Sequence, residues 1–492
     1  MTSRNSKRLL VLCVSLALAS GCAVGPTYRR PDTPVPAAFR EAPGWKAASP
    51  ADDASRGAWW EAFGDPVLNN LESQVAGANQ TLRQAAAAYE EAREIARADR
   101  GTLLPDIAAV GSADRTHPSG AGGGAPVTSN AFSAALQGTW SPDFWGRIRR
   151  QVESDVTAAQ ASAADLAAAR LSTQGLLAQD YIAIRASDEK RRLLHNAVEA
   201  YARTLSIVKN KYAVGVAARS DVISAQALLD SERAQEIDVG VQRSVLEHAV
   251  AVLVGSLPSD FSLGPQPAFT LGVPAVPGRL PSEILERRPD VAAAERSVAA
   301  ANARVGVQTA AYFPDITLSA EGGYSGSPLD RLFTAPFRMW SLGANASETL
   351  LDFGQRRAQL QEAHAAYDGA VAGYRQTVLT AFQQVEDNLA ALRILGEEAG
   401  VQEIAVSEAS SAARIAENEY RAGTEDFTYV VSAQITEVSD RLTALGILQS
   451  RLADSVALIE ATGGGWRSSD LPDRGQIMKR RSADPASVAA PR

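Results

Sequence analysis

Few side chains in this 492-residue sequence stand where covalent chemistry could be done. The four histidines, His117, His195, His248 and His364, are scattered, with no pair at metal-ligand spacing. No serine or cysteine occupies a nucleophile elbow. The glycine-rich run Gly120–Gly124 lies between two strand-like stretches with no helix following, so it reads as a surface loop rather than a phosphate cradle. Aspartate and glutamate are abundant but fall on long helical stretches, where a solvated face accounts for them. This is not the pattern of an enzyme, and it implies neither metal nor cofactor. The side chain with a definite chemical assignment is the thiol of Cys22.

That thiol follows a secretory leader. Arg4, Lys7 and Arg8 precede an apolar run, Leu9 to Ala19, too short to span a bilayer. The run ends in Ala19-Ser20-Gly21-Cys22, which resembles a bacterial lipobox with Ala19 where leucine is more usual. Residues 1–21 are then signal peptide, Cys13 leaves with them, and Cys22 becomes a first residue bearing diacylglycerol and an N-acyl palmitate chain. Ordinary cleavage would instead leave a secreted protein with one unpaired thiol, an odd outcome. One acyl chain anchors marginally, whereas two or more hold firmly. Ala23 is not the aspartate that lipoprotein sorting reads as inner-membrane retention, which directs the expectation to the outer membrane.

The elements that follow are organised as a repeat. Leu104-Pro105-Asp106-Ile107 returns as Phe313-Pro314-Asp315-Ile316, an offset of 209. Asp143-Phe144-Trp145-Gly146 has a counterpart in Asp352-Phe353-Gly354. Tyr212-x-x-Gly215 returns as Tyr420-x-x-Gly423, an offset of 208. Each copy reads strand, loop, strand, then a very long helix that turns back on itself. We divide the chain into a proline-rich leader (22–58), a first repeat (59–257) with strand pair 105–142 and helical hairpin 146–254, and a crossover (258–281). A second repeat (282–462) follows, with strand pair 314–352 and hairpin 354–461, and then a mobile tail (463–492).

In the first repeat one helix is expected from Asp65, a cap followed by Pro66, to about Thr102. The strands are amphipathic. Ile316, Leu318, Ala320 and Tyr324 alternate with Thr317, Ser319, Glu321 and Ser325, and Trp340, Leu342, Ala344 and Ala346 alternate with Ser341, Asn345 and Ser347. Phe132, Ala134, Leu136 and Trp140 form a similar set, which a bulge or a one-residue shift near Trp140–Trp145 would align with the flanking motifs. Gly146–Tyr212 and Gly354–Tyr420 each give 67 residues of uninterrupted helical pattern. At about 1.5 Å per residue, that is roughly 100 Å. A helix of this length belongs to a coiled-coil-like assembly.

Composition narrows the function further. The chain is 46% apolar but only 6% aromatic, with a net charge of −8. Loss of Arg4, Lys7 and Arg8 with the signal leaves 45 basic against 56 acidic residues, or −11. Nothing here supports nucleic-acid binding. Four strands cannot close a barrel, and an open edge in lipid leaves unpaired backbone groups costing several kcal/mol each. Closure therefore calls for several chains, and three would supply twelve strands.

Three motifs carry a specific resemblance: Trp60-x-x-Phe63-x-Asp65-Pro66-x-Leu68, Arg288-Pro289-Asp290-x-x-x-Ala294-Glu295 and Phe313-Pro314-Asp315-Ile316. With Gly21-Cys22-Ala23-Val24-Gly25-Pro26-x-Tyr28-x-Arg30-Pro31, the chain resembles the outer membrane factor (TolC/OprM-like) family, in its lipoprotein branch of NodT-type efflux subunits. The resemblance runs from Cys22 to about Trp466, with Ser141-Pro142 departing from the usual acidic pattern before Asp143. It implies a mainly α fold with a β-barrel part: a trimeric, twelve-stranded outer-membrane barrel continued by a long periplasmic helical barrel. It also implies passive export, with a periplasmic adaptor and an inner-membrane transporter of the proton-driven resistance-nodulation-division (RND) class as partners.

The same resemblance places the two helical turns at a periplasmic tip, where the pore is held shut and the adaptor docks. Tyr212, Tyr420, Arg421, Glu425 and Asp426 become gate residues, three copies of the two acids forming a ring that needs partners such as Arg421 or Tyr212. Gly215, Val216, Ser220, Gly423 and Thr424 become docking positions. Two other readings compete: an exit duct for type I protein secretion, and a structural coiled-coil lipoprotein without a pore. The lipobox leans against the first, and the amphipathic strand pairs argue against the second.

Overall fold

The computed structural model describes residues 23–33, 39–41, 58–117, 127–266, 269–274 and 287–479. Cys22, the signal peptide and the Gly120–Gly124 run lie outside them.

A short 3-10 turn at Trp59–Phe63 leads into α1 (Pro66–Ala78). The Asp65 carboxylate caps α1, accepting from the amides of Val67 at 2.8 Å and Leu68 at 3.3 Å. The single helix expected to Thr102 is broken at Asn79, whose extended backbone ends α1 and whose side chain caps α2 (Gln80–Gly101) through the Leu82 amide at 3.0 Å. The Asn79 amide group also donates to the Leu253 carbonyl at 2.9 Å, so a distant contact holds the break. Apolar periodicity continues through Asn79 and cannot register such a bond.

Strands β1 (Asp106–Thr116), β2 (Ser129–Trp140), β3 (Asp315–Gly326) and β4 (Arg338–Ser347) form one antiparallel sheet in the order β1-β2-β3-β4. No bulge interrupts the ladders, which run residue for residue, and the one-residue shift expected near Trp140–Trp145 falls earlier, between the strands. β1 corresponds to β3 at an offset of 209 and β2 to β4 at 208, so the odd residue is absorbed in the connection within each hairpin.

Long helices carry the sheet. α3 (Arg147–Ala213) has 67 residues and α4 (Arg219–Leu253) 35. The second repeat opens with α5 (Pro289–Ala310) and, after β3 and β4, continues with α6 (Gln355–Ala422), 68 residues, and α7 (Phe427–Ala461), 35. α3 pairs with α4 and α6 with α7, and the two hairpins meet where α3 packs on α7. Gly146 (φ 81°) and Gly354 (φ 94°) occupy the same left-handed position before α3 and α6, where a side chain would be strained. Asp143 and Asp352 supply carboxylates to the first turn of each helix.

The main core lies at mid-height, where Trp59, Phe63, Leu68, Leu71 and Val75 pack against Leu177, Tyr181, Ile182, Leu452 and Val456. The crossover is sewn to it. Arg185 and Arg243 donate to the carbonyls of Gly264 (2.8 Å) and Leu263 (2.5 Å), and Glu247 accepts from the Leu263 amide at 2.6 Å.

The described parts of the leader and of the C-terminal segment are docked. The leader runs along α3, α5 and α6: Val24 donates to the Trp145 carbonyl at 3.0 Å, Tyr28 to Glu295, and Arg30 to the Tyr374 hydroxyl at 3.0 Å. The tail expected to be mobile from 463 is held as far as 479. A short helix, α8 (Arg474–Met478), inserts Ile477, fully buried, among Ala96, Val152, Val156 and Ala159. Gln160 donates to the Pro472 carbonyl at 3.0 Å. Basic, proline-punctuated composition suggests a loose tail, but one isoleucine with a matching alanine-lined groove outweighs it. Residues 480–492 lie outside the described range.

Candidate functional site

The ladders decide which strand residues share a face. Ile107, Ala109, Gly111 and Ala113 lie across from Gly138, Leu136, Ala134 and Phe132. Leu136 and Trp140 lie across from Gly322 and Leu318, and Leu318, Ala320 and Gly322 across from Ala344, Leu342 and Trp340. One continuous apolar face thus crosses all four strands, and Ile107, Leu136, Trp340 and Leu342 on it are exposed. The opposite face carries Ser112, Ser133 and Ser325 in one row and Gln137, Glu321 and Ser341 in another. An apolar outside, a polar inside and aromatic residues towards the ends (Trp140 at one, Tyr324 with Phe333 at 5.4 Å at the other) are what a strand needs to stand between lipid and water.

Below the sheet the two repeats are locked at a joint. The Trp145 ring stacks on Phe313 at 4.9 Å and 23°, and its Nε1 donates to the Pro314 carbonyl at 2.8 Å. Phe353, one residue before Gly354 as Trp145 is before Gly146, is exposed and has φ 49°.

At the other end of α3 and α6 the structure places the tip residues unequally. Gly215 (φ 76°) and Gly423 (φ 86°) make the turns. Tyr420 is buried, its ring 5.9 Å from Phe427, and Lys211 Nζ lies 3.8 Å above it while donating to the Tyr420 carbonyl. Burial, then the nearby Asp221 carboxylate, pushes the Tyr420 hydroxyl above the ordinary tyrosine range. Tyr212 is exposed instead. Within the chain Arg421 pairs with Glu417, and Glu425 and Asp426 stand exposed. Asp426 is the N-cap residue of α7 without a side-chain cap bond. Among the docking positions, Val216 is exposed, Ser220 bonds Asp221 at 3.2 Å, and Thr424 folds back on the Glu419 carbonyl through its amide (3.0 Å) and hydroxyl (3.1 Å). Sequence reasoning missed Lys211 and Phe427; the signal was there in the Lys211-Tyr212 and Asp426-Phe427 neighbours of residues already singled out.

An amphipathic sheet with two open edges, carried on helical hairpins some 100 Å long, defines this chain as one portion of the wall of a membrane-crossing duct. The outer membrane efflux protein family model matches residues 71–256 and 280–464, and the chain belongs to that family. It is an outer-membrane efflux channel protein. It is 29% identical over 468 residues to a probable efflux pump outer membrane protein, TtgC, of Pseudomonas putida, covering 94% of this chain and 96% of the relative. It is 29% identical to the pyoverdine export outer membrane protein OpmQ of Pseudomonas aeruginosa, covering 92% and 97%. Among solved structures, the outer-membrane channel OprN superposes with a TM-score of 0.83 at 30% identity, over 90% of this chain and all of that one. The open state of the MtrE outer membrane channel of Neisseria gonorrhoeae gives 0.81 at 26%, over 91% and 99%.

Proposed function

We propose that three copies of this chain close a twelve-stranded barrel in the outer membrane and a helical duct beneath it. Through this duct, cargo delivered by an inner-membrane RND-type pump and a periplasmic adaptor leaves the cell without covalent change. The carrying observation is the four-stranded sheet: among the described residues its apolar face is uncovered and both edge strands, β1 and β4, lack a partner on one side. In lipid such edges are tolerable only when closed into a ring. Purified protein should run as a heat-modifiable trimer and give discrete single-channel currents in planar bilayers. A stable soluble monomer without conductance would overturn the reading.

The lipid on Cys22 belongs to the same proposal. Val24 is bonded to Trp145, and an added Cβ on Gly146 would lie 2.7 Å from Ala23, so the leader starts at the joint between strands and helices. That is the level of the membrane surface, where an acyl chain can enter the leaflet. Palmitate labelling should vanish in Cys22→Ser.

At the tip, Tyr212, Tyr420, Arg421, Glu425 and Asp426 form the gate and Gly215, Val216, Ser220, Gly423 and Thr424 the adaptor-docking rim. The exposed acids support this, since three copies make a ring that repels itself and attracts cations. Replacing Glu425 and Asp426 together by alanine should raise the conductance of the isolated trimer; unchanged conductance removes them from the gate. Cargo is left open, for the relatives' names range from toluene to pyoverdine to cations.

A further inference from the structure

The charges of the sheet are sorted by face. The acids of the four strands, Asp106, Asp114, Asp315 and Glu321, alternate onto the polar face. The arginines, Arg115 and Arg338, both fall on the apolar face, with Ile107, Leu136, Trp340 and Leu342. Both stand at the strand ends remote from α3 and α6, Arg115 as the last residue but one of β1 and Arg338 as the first of β4. With the helices in the periplasm, that end lies in the outer leaflet. An arginine facing lipid is costly at mid-depth and tolerated at the rim, which permits the two residues without explaining them.

Nothing in the chain balances them. Both are exposed, and neither makes an ion pair among the described residues. The connection that follows Arg115, from His117 to Thr128, contains no acid. The connection before Arg338 contains Asp330 alone, which lies 3.8 Å from Arg331.

The repeat sets the two arginines at one height. β1 carried by 209 residues becomes β3 and β2 carried by 208 becomes β4, so Arg115 stands where Tyr324 does and Arg338 where Asn130 does. The ladders pair Arg115 with Asn130 and Tyr324 with Arg338, the same rung of the two hairpins. Tyr324, edge-on to Phe333, marks that rung as the level of the membrane–water boundary, where aromatic rings collect. In the closed barrel the order along the rim is Arg115, Asn130, Tyr324, Arg338 and then, on the next strand, Arg115 of the partner subunit. The backbones of those last two are on the order of 6 Å apart along a tilted rim, so their guanidinium groups repel unless an anion lies between them. Guanidinium matches phosphate oxygens bidentately, and the exposed Trp340 and Leu342 below Arg338 offer apolar surface to acyl chains.

We propose that Arg338 and Arg115 of the partner subunit together bind the phosphate headgroup of an outer-leaflet lipid, one site at each junction of the barrel. The site rests on the trimer reading above, since a single chain holds its two arginines on opposite edges of the sheet.

Native mass spectrometry of the full-length trimer, titrated with bisphosphorylated lipid A, tests it. Arg115→Gln combined with Arg338→Gln should weaken binding about tenfold or more, the scale of one lost charge-assisted hydrogen bond. Dephosphorylated lipid A should bind wild type and variant alike, and millimolar inorganic phosphate should leave the bound lipid A in place. Equal affinity of the two trimers for lipid A, or a loss that dephosphorylated lipid A shares, overturns the site. Displacement by inorganic phosphate overturns the lipid as its occupant. If the double variant fails to assemble, Arg338→Gln alone must show the loss, and an unchanged affinity there overturns the proposal equally. A wild type that is monomeric by mass overturns the trimer reading itself, whereas a trimer that takes up no lipid A overturns this site alone.

Discussion

The Tyr181 hydroxyl donates to the Asp65 carboxylate at 2.7 Å, tying the middle of α3 to the residue that caps α1. Burial by itself would push the Asp65 carboxyl up, but the bonds from Tyr181, Val67, Leu68 and Gln266 outweigh it and hold it below the usual range. Tyr181→Phe should cost about 1–2 kcal/mol, since the carboxylate keeps its other donors, and Asp65→Ala more, because the cap is lost too. The depressed carboxyl contributes stability that is complete above its unfolded value of 3.8 and is lost as the pH falls through the folded one. Chemical denaturation at pH 7 and pH 3 should therefore show the gap between wild type and Asp65→Ala narrowing in acid.

Glu72 on α1 behaves in the opposite sense. Its side chain is fully buried, neither oxygen has a partner, and burial together with Glu460 raises its pKa to about 9; burial raises Glu460 to about 7. Folding then favours the protonated forms, so their contribution is complete below pH 4.5 and is lost as the pH climbs towards 7 and then 9. Glu72→Gln should gain on the order of 1 kcal/mol at pH 8 and nothing at pH 4. Thermal midpoints at the two pH values check this; equal shifts would mean that Glu72 is not the titrating group.

Lys211 is the cation over Tyr420 at the tip. Lys211→Ala should loosen the contact between α3 and α6 and raise the conductance of the reconstituted trimer. Lys211→Arg, which keeps the charge over the ring, should restore most of the closed behaviour.

Docking of the C-terminal segment predicts that Ile477→Asp costs about 2–4 kcal/mol, by analogy with large-to-small changes at fully buried sites plus an unpaired charge. Limited proteolysis should follow, with the variant gaining cuts between 463 and 479 that the wild type lacks.

Glycine positions that match in the repeat should not match in cost. Gly354→Ala meets only the backbone penalty of a left-handed position, about 1 kcal/mol, because an added Cβ has nothing within 4 Å. Gly146→Ala carries the same penalty and also collides with Ala23. It should be the more destabilising of the two and should increase protease access to the leader.

How much of this was legible beforehand depended on whether a feature was local. Strand faces were legible because alternation has a period of two and lipid and water demand opposite sides. Helix length was legible from the absence of proline between Phe337 and Leu471. The break at Asn79 and the anchoring by Ile477 were not, since each rests on a partner more than a hundred residues away. At the tip, the glycines of the two turns were legible from the repeat, but the pairing of Arg421 with Glu417 is settled by side-chain reach along a helix.

The two turns of each chain differ in character. Val214 and Val216 stand exposed beside Gly215, while Glu425 and Asp426 follow Gly423. Set around a threefold axis, they yield a rim of six corners, greasy and anionic by turns. A cap with six identical faces set on such a rim would meet two kinds of corner in alternation.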